Sequence, residues 1–177
     1  MAMTLITTNT SSNAASSSFT SGIDSTYKLY IFKFIDVNPA TDNAEFTFQA
    51  NATDSSGYDR TITSTYFLAY HDEADGNTSL AYDADFDQAQ GTAFQDLSHN
   101  VGNGGDESCA GTLWLFNPSS TTYVKHFYSV MNNYHGSNFT YNNFCAGYIN
   151  DTTAIDDIQF KMSSGNMDAV IKLYGVG

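Results

Sequence analysis

Apolar residues recur along this chain in short runs with a period of two, separated by clusters of Gly, Asn, Asp and Ser. That spacing predicts half-buried β-strands joined by tight turns, because successive side chains on a strand point to opposite faces. Met3 to Thr8 reads as a first strand. Ser11 to Ser18 reads as either a polar second strand or an ordered linker, so residues 1–18 are open to description as an extended arm. Tyr27 to Val37 is the strongest strand of the first half. Its odd positions include Leu29, Ile31 and Ile35, and its even positions still carry Tyr30, Phe32 and Phe34. Two apolar faces predict a central strand or one lying in a subunit interface.

Asn38-Pro39 ends that run. Glu45 to Asn51 then alternates cleanly, with Phe46, Phe48 and Ala50 predicted inward and Glu45, Thr47 and Gln49 on a solvated face. Asp59 to His71 places Ile62, Tyr66, Leu68 and Tyr70 on one side and Thr61, Thr63, Thr65 and Phe67 on the other, with an end that could be helical. From Asp72 to Ser108 the pattern dissolves into an acidic stretch punctuated by Gly and Asn. This is expected to be a long insertion that makes contacts, with a short helix over Asp87 to Leu97. The second half returns to strands over Thr112–Phe116, Tyr123–Tyr134 and Asn143–Ile149. The chain closes with what reads as a β-hairpin from Ile155 to Gly177, turning at Gly165-Asn166. The whole predicts a single domain over residues 1–177: all-β, an antiparallel two-sheet sandwich of jelly-roll type with about eight to ten strands.

Composition narrows the partners. Charged residues are 14% of the chain and aromatic residues 15%, which favours sheet over helix. Six Lys and Arg against 19 Asp and Glu give a net charge of −13, so nucleic acid and anionic membranes are poor partners. The opening MAMTLITTNTSSNAASSS carries neither a basic region nor an apolar stretch of signal-peptide length, which predicts a soluble chain that is not exported and is not inserted in a membrane.

Candidate chemistry is sparse. Asp83, Asp85 and Asp87 have the opening spacing of a calcium loop, but Gln88 stands where that loop needs glycine and Phe94 where it needs a bidentate Glu. A looser cation site and a solvated acidic loop both remain open. His71, His99, His126 and His135 stand singly, without the spacing of a zinc site. Asp72-Glu73 and Asp156-Asp157 are neighbours in sequence, which on a strand turns them to opposite faces. Cys109 and Cys145 read as two small buried thiols on neighbouring strands, with a disulfide the other open reading. No catalytic, cofactor-binding or metal-binding residue is assigned, no cofactor is expected, and the chain reads as a non-enzyme.

A resemblance adds a setting. The closing IQFKMSSGNMDAVIKLYGVG is similar to the C-terminal hairpin of many small tailed-bacteriophage virion proteins. YIFKFIDVNPATDNAEFTFQ, the segment through DQAQGTAFQDLS and GTLWLFNPSSTTYVKHF resemble a family of structural proteins of marine tailed phages. Together these stretches cover most of the chain, and the family brings no established catalytic residues to carry over. The resemblance implies a virion component made in the host cytoplasm, decorating the capsid or belonging to a tail or fibre. It implies partners that are further copies of the chain, as a trimer, and other virion proteins. The alternative is a module that recognises host-surface glycans through the Asp72 to Ser108 region, where exposed Tyr and Phe could stack on sugar rings.

Overall fold

The computed structural model describes residues 2–177, and every regular element in it is a β-strand. In chain order these are β1 (Met3–Ala14), β2 (Ser17–Phe19), β3 (Leu29–Pro39), β4 (Ala44–Ala52), β5 (Ile62–Asp72), β6 (Thr78–Tyr82) and β7 (Ala89–Gly91). They continue with β8 (Gln95–Val101), β9 (Cys109–Phe116), β10 (Lys125–His135), β11 (Phe139–Ile149), β12 (Ile155–Met162) and β13 (Met167–Val176). All pairings are antiparallel.

The strands form two layers. A large sheet runs β1-β13-β3-β9-β10-β11-β5, with β6 and β7 both on the far side of β5. A small sheet runs β8-β4-β12-β2. The layers are joined at one side by a single bridge between His135 of β10 and Val101 of β8. At the other side the Asn9 side chain of β1 donates to Ser18 O of β2 at 2.9 Å. The sandwich is therefore a nearly closed, flattened barrel.

Three sequence expectations are corrected. The strands of the supposed closing hairpin do not pair with each other: β12 lies between β4 and β2 in the small sheet, and β13 between β1 and β3 in the large one. The Ser163–Asn166 connection is an arch that crosses between layers. Gly165 has φ +72° there, and a Cβ on it would stand 2.4 Å from Thr41 Oγ1, so the arch needs glycine twice over. Secondly, Asp87 to Leu97 is not helical but holds β7 and the start of β8, and the acidic stretch as a whole contains three strands. The end of the β5 segment is likewise strand and not helix, held by β11 along its full length.

The third correction concerns the face of β4 that was expected to be solvated. Thr47, Gln49 and Asn51 are buried. Loops wrap over them, and Gln49 Nε2 donates to the carbonyls of Arg60, Thr92 and Ala93 at 2.9–3.2 Å while its Oε1 accepts from Ala50 N. One polar side chain thus satisfies loop backbone that would otherwise be buried without partners.

Between the layers lies one aromatic core. Phe160 of β12 faces Phe32 and Phe34 of β3 across the sandwich at ring-centroid distances of 5.1 and 5.0 Å. It also contacts Phe46, Phe19 and Phe48 at 5.8, 6.1 and 6.4 Å. β3 is accordingly central. Its even residues Tyr30, Phe32 and Phe34 face the core, and a bulge with Asp36 at φ +50° resets the alternation so that Val37 also points inward. Phe160→Ala opens a cavity against five rings and is expected to cost about 3–5 kcal/mol of unfolding free energy. Chemical denaturation measures it, and a loss below about 1 kcal/mol would show that the rings repack freely.

Candidate functional site

The interior under β8 is polar where the rest is aromatic. Tyr66 of β5 donates to Asn143 Oδ1 at 2.9 Å, and Asn143 Nδ2 donates to Asn133 Oδ1 at 2.7 Å. Ser98 of β8 donates to the same Asn133 oxygen at 3.0 Å. Nearby, Ser64 of β5 donates to Gln95 Oε1 of β8 at 2.6 Å, and Gln95 Nε2 returns to the carbonyls of Phe86 and Asp96. These bonds tie the two sheets together at fixed register, and burial holds the Tyr66 phenol far above its usual range and un-ionised. Their role is architectural.

The structure disperses the residues with catalytic or metal-binding chemistry. His71 faces solvent beside Asp75, at 3.1 Å. His99 and His135 pack with Tyr141, the His99 and Tyr141 rings parallel within 2° at 5.5 Å, and burial pulls both imidazoles below their ordinary range. His126 lies on the outer face next to Tyr148. Cys109 and Cys145 are both buried and both free thiols. Burial pushes Cys109 up to about 12 and Cys145 in the same direction, which leaves them inert as nucleophiles. Asp83 caps the turn at Asp85 N and Asp87 accepts from Tyr82, so two carboxylates of the acidic triplet are engaged locally and that of Asp85 is exposed. Among the described residues no three His, Cys, Asp or Glu side chains are grouped to hold a metal ion.

Two depressions lie at the ends of the strands. One, of about 380 Å³, is lined by Asp36, Asp106, Glu107 and Asp168, but Glu107 accepts Gly104 N at 2.6 Å and Asp168 accepts Asn13 N at 2.6 Å. The other, of about 230 Å³, is lined by His71, Glu73, Asn132, Tyr134 and Thr140.

The most distinctive surface is the outer face of the large sheet. Strand register sets Trp114, Tyr128, Ala146 and Thr65 in one row across β9, β10, β11 and β5. The next row is Thr112, Val130, Phe144 and Phe67, continued by Tyr82 of β6. Trp114 stacks on Tyr128 at 4.4 Å, and Phe144 on Phe67 at 4.7 Å with planes 7° apart. Cross-strand aromatic pairs of this kind stabilise a sheet, yet Tyr128 stays 40% and Phe67 41% exposed. Between the two stacks is an open depression of about 510 Å³ whose walls are Phe67, Tyr128, Val130, Phe144 and Ala146. No outward side chain of β9, β10, β11 or β5 is a carboxylate.

Of Asp72 to Ser108, where the sequence places the contacts, Leu80 and Tyr82 are the large apolar side chains exposed at the margin of this face. The signal that would have found it is the two-sided apolar pattern of β10, where Phe127 and Met131 point inward while Tyr128 and Val130 point outward. Compared with protein-family models, curated proteins and solved structures, the chain matches none of them.

Asp96 on β8 is the one carboxyl pushed strongly upward. Burial first, and the neighbouring Glu45 second, raise it from 3.8 to about 7. The folded state therefore holds a proton that the unfolded chain releases near pH 4. Stability from this group is full below about pH 4 and falls as the pH rises towards 7. Asp96→Asn is expected to flatten that decline and to raise stability at pH 8 by on the order of 2 kcal/mol, allowing for partial exposure. Thermal melts of both proteins across pH 4–8 measure it, and parallel curves would contradict the assignment.

Proposed function

We propose that this protein is a non-enzymatic structural component of a bacteriophage virion, a capsid-decorating, tail or fibre protein that works by associating with further copies of itself. The observation that carries the reading is the carboxylate-free aromatic face of β9, β10, β11 and β5. A chain of net charge −13 repels its own kind over most of its surface, so copies meet with least repulsion where acidic side chains are missing. Exposed Tyr and Phe supply large contact area with few rotamers to freeze, and open apolar depressions flanked by such rings accept a partner's side chain. The sheet scaffold beneath has an aromatic core and inter-layer hydrogen bonds from Ser64 to Gln95 and from Ser98 to Asn133. The virion setting draws its support from the resemblance of the closing segment and the flanking turns to marine-phage structural proteins.

A second reading, recognition of host-surface glycans, has the depression at His71, Glu73, Asn132 and Tyr134 in its favour, where hydrogen-bonding groups and an aromatic ring converge. Glycan-array binding that is lost in Glu73→Ala supports it, and an array blank with and without Ca²⁺ removes it.

The assembly reading is tested by sedimentation equilibrium of the wild type and of the double variant Phe67→Glu/Tyr128→Glu. Both side chains point outward, so the fold is kept while two charges enter the face. The association constant is expected to drop at least tenfold; an unchanged constant overturns the role of this face. Mass spectrometry of purified phage particles should find the protein in them, and its absence overturns the virion setting.

A further inference from the structure

The edges of the large sheet are not alike. One side ends in β6 and β7, which are five and three residues long and flank the acidic turn at Asp83, Asp85 and Asp87. Short length and charge are the usual means by which a sheet edge is kept from pairing with another chain. The other side ends in β1, twelve residues long and strand-paired with β13 alone, its one tie to β2 being the Asn9 side chain. β1 has none of those protections. Residues 1–23 contain no charged side chain and no proline, in a chain whose net charge is −13.

The register shows which backbone groups are left over. Ala2 and Gly177 exchange backbone hydrogen bonds at 3.1 and 3.3 Å, so the alternate residues Met3 and Leu5 turn their N–H and C=O away from β13. A bulge at Ile6 resets the alternation, and beyond it Thr7 and Asn9 bond to β13 while Thr8 and Thr10 face the open edge. Among the described residues no backbone bond outside the β1–β13 ladder reaches positions 3–12. The side chains of Thr8 and Thr10 are exposed, and the outer-face neighbour of Thr8 on β13 is Lys172, itself directly opposite Lys33 of β3. Around Thr8 the edge is thus neutral to basic, and the one carboxylate bonded to the strand, Asp168, sits at its far end on Asn13 N.

We propose that the open edge of β1 pairs with β1 of a second copy, antiparallel about a two-fold axis, joining two large sheets into one continuous sheet. An identical, uncharged, Thr-, Ser- and Asn-rich strand is its own complement in such a contact, since each copy offers the donors and acceptors the other lacks. For molecules this acidic, β1 is the edge at which two backbones approach without bringing carboxylates together. The inference deepens the assembly reading and rests on self-association being the protein's mode of action, but it uses a surface separate from the aromatic face.

Hydrogen exchange followed residue by residue, in the Phe67→Glu/Tyr128→Glu background, isolates the edge from the face. The amides of Thr8 and Thr10 are expected to gain protection, at least tenfold, as protein concentration rises from about 10 µM to about 1 mM. Adding Thr8→Lys/Thr10→Lys is expected to abolish that gain and leave a monomer by sedimentation, with exchange in β3 and β12 unchanged as the check on folding. Exchange at Thr8 and Thr10 that stays fast at every concentration overturns the proposal, as does self-association that survives the lysine pair. Either result leaves the aromatic-face reading to be judged by its own variant.

Discussion

The contact between Phe160 and the phenylalanines of β3 is the constraint on which the rest of the molecule turns. Two sheets that each bury one face must hold their layers together with side chains, and here the small sheet has few strands with which to do it. Phe160 reaches Phe32 and Phe34 across the gap and Phe46 and Phe48 beside it, so one side chain serves both inter-layer and intra-layer packing. That contact requires β12 and β13 to lie in different layers. The arch at Ser163–Asn166 meets the requirement, with Ser163 N bonded to Glu45 O on one side and Asn166 O accepting Ala40 N on the other. The end of the chain closes the sandwich by bridging its layers and not by folding back on itself.

Away from that cluster the layers are held by hydrogen bonds. Tyr66, Asn143, Asn133 and Ser98 form a buried chain in which the side-chain oxygens and amides are mutual partners. Apolar packing is tolerant of small slips, whereas a buried amide network is satisfied in one register only. The two halves of the interior therefore divide the labour: the rings supply most of the burial, and the polar chain specifies where β8 sits against β10, β11 and β5.

The outer faces differ for a related reason. The small sheet is clothed by its own loops, pinned by Gln49, while the outer face of the large sheet at β10, β11 and β5 is left bare. The molecule leaves two unlike surfaces open, stacked aromatics on one face and a long uncharged strand at one edge. One works through side chains and the other through backbone.

Alternation along the chain was enough to determine the all-β antiparallel class and the inward residues Phe46, Phe48 and Ala50 of β4, because burial on one face imposes a period of two wherever a strand lies. It left β3 either central or in a subunit interface, and the structure places it between β13 and β9. What alternation cannot express is whether the next strand lies beside or across: Met162 and Met167 point into the core equally well in a hairpin or in an arch. Only the tertiary structure decided that, through ring packing at Phe160 and the demands of Gly165. It likewise decided that Gln49 is buried, since the covering segments carry no apolar periodicity and one of them, at Thr92 and Ala93, lies far along the chain. The bare aromatic face was half visible, in the two-sided pattern of β10. Its continuity across four strands depends on register, which is set by pairing between segments far apart in the chain.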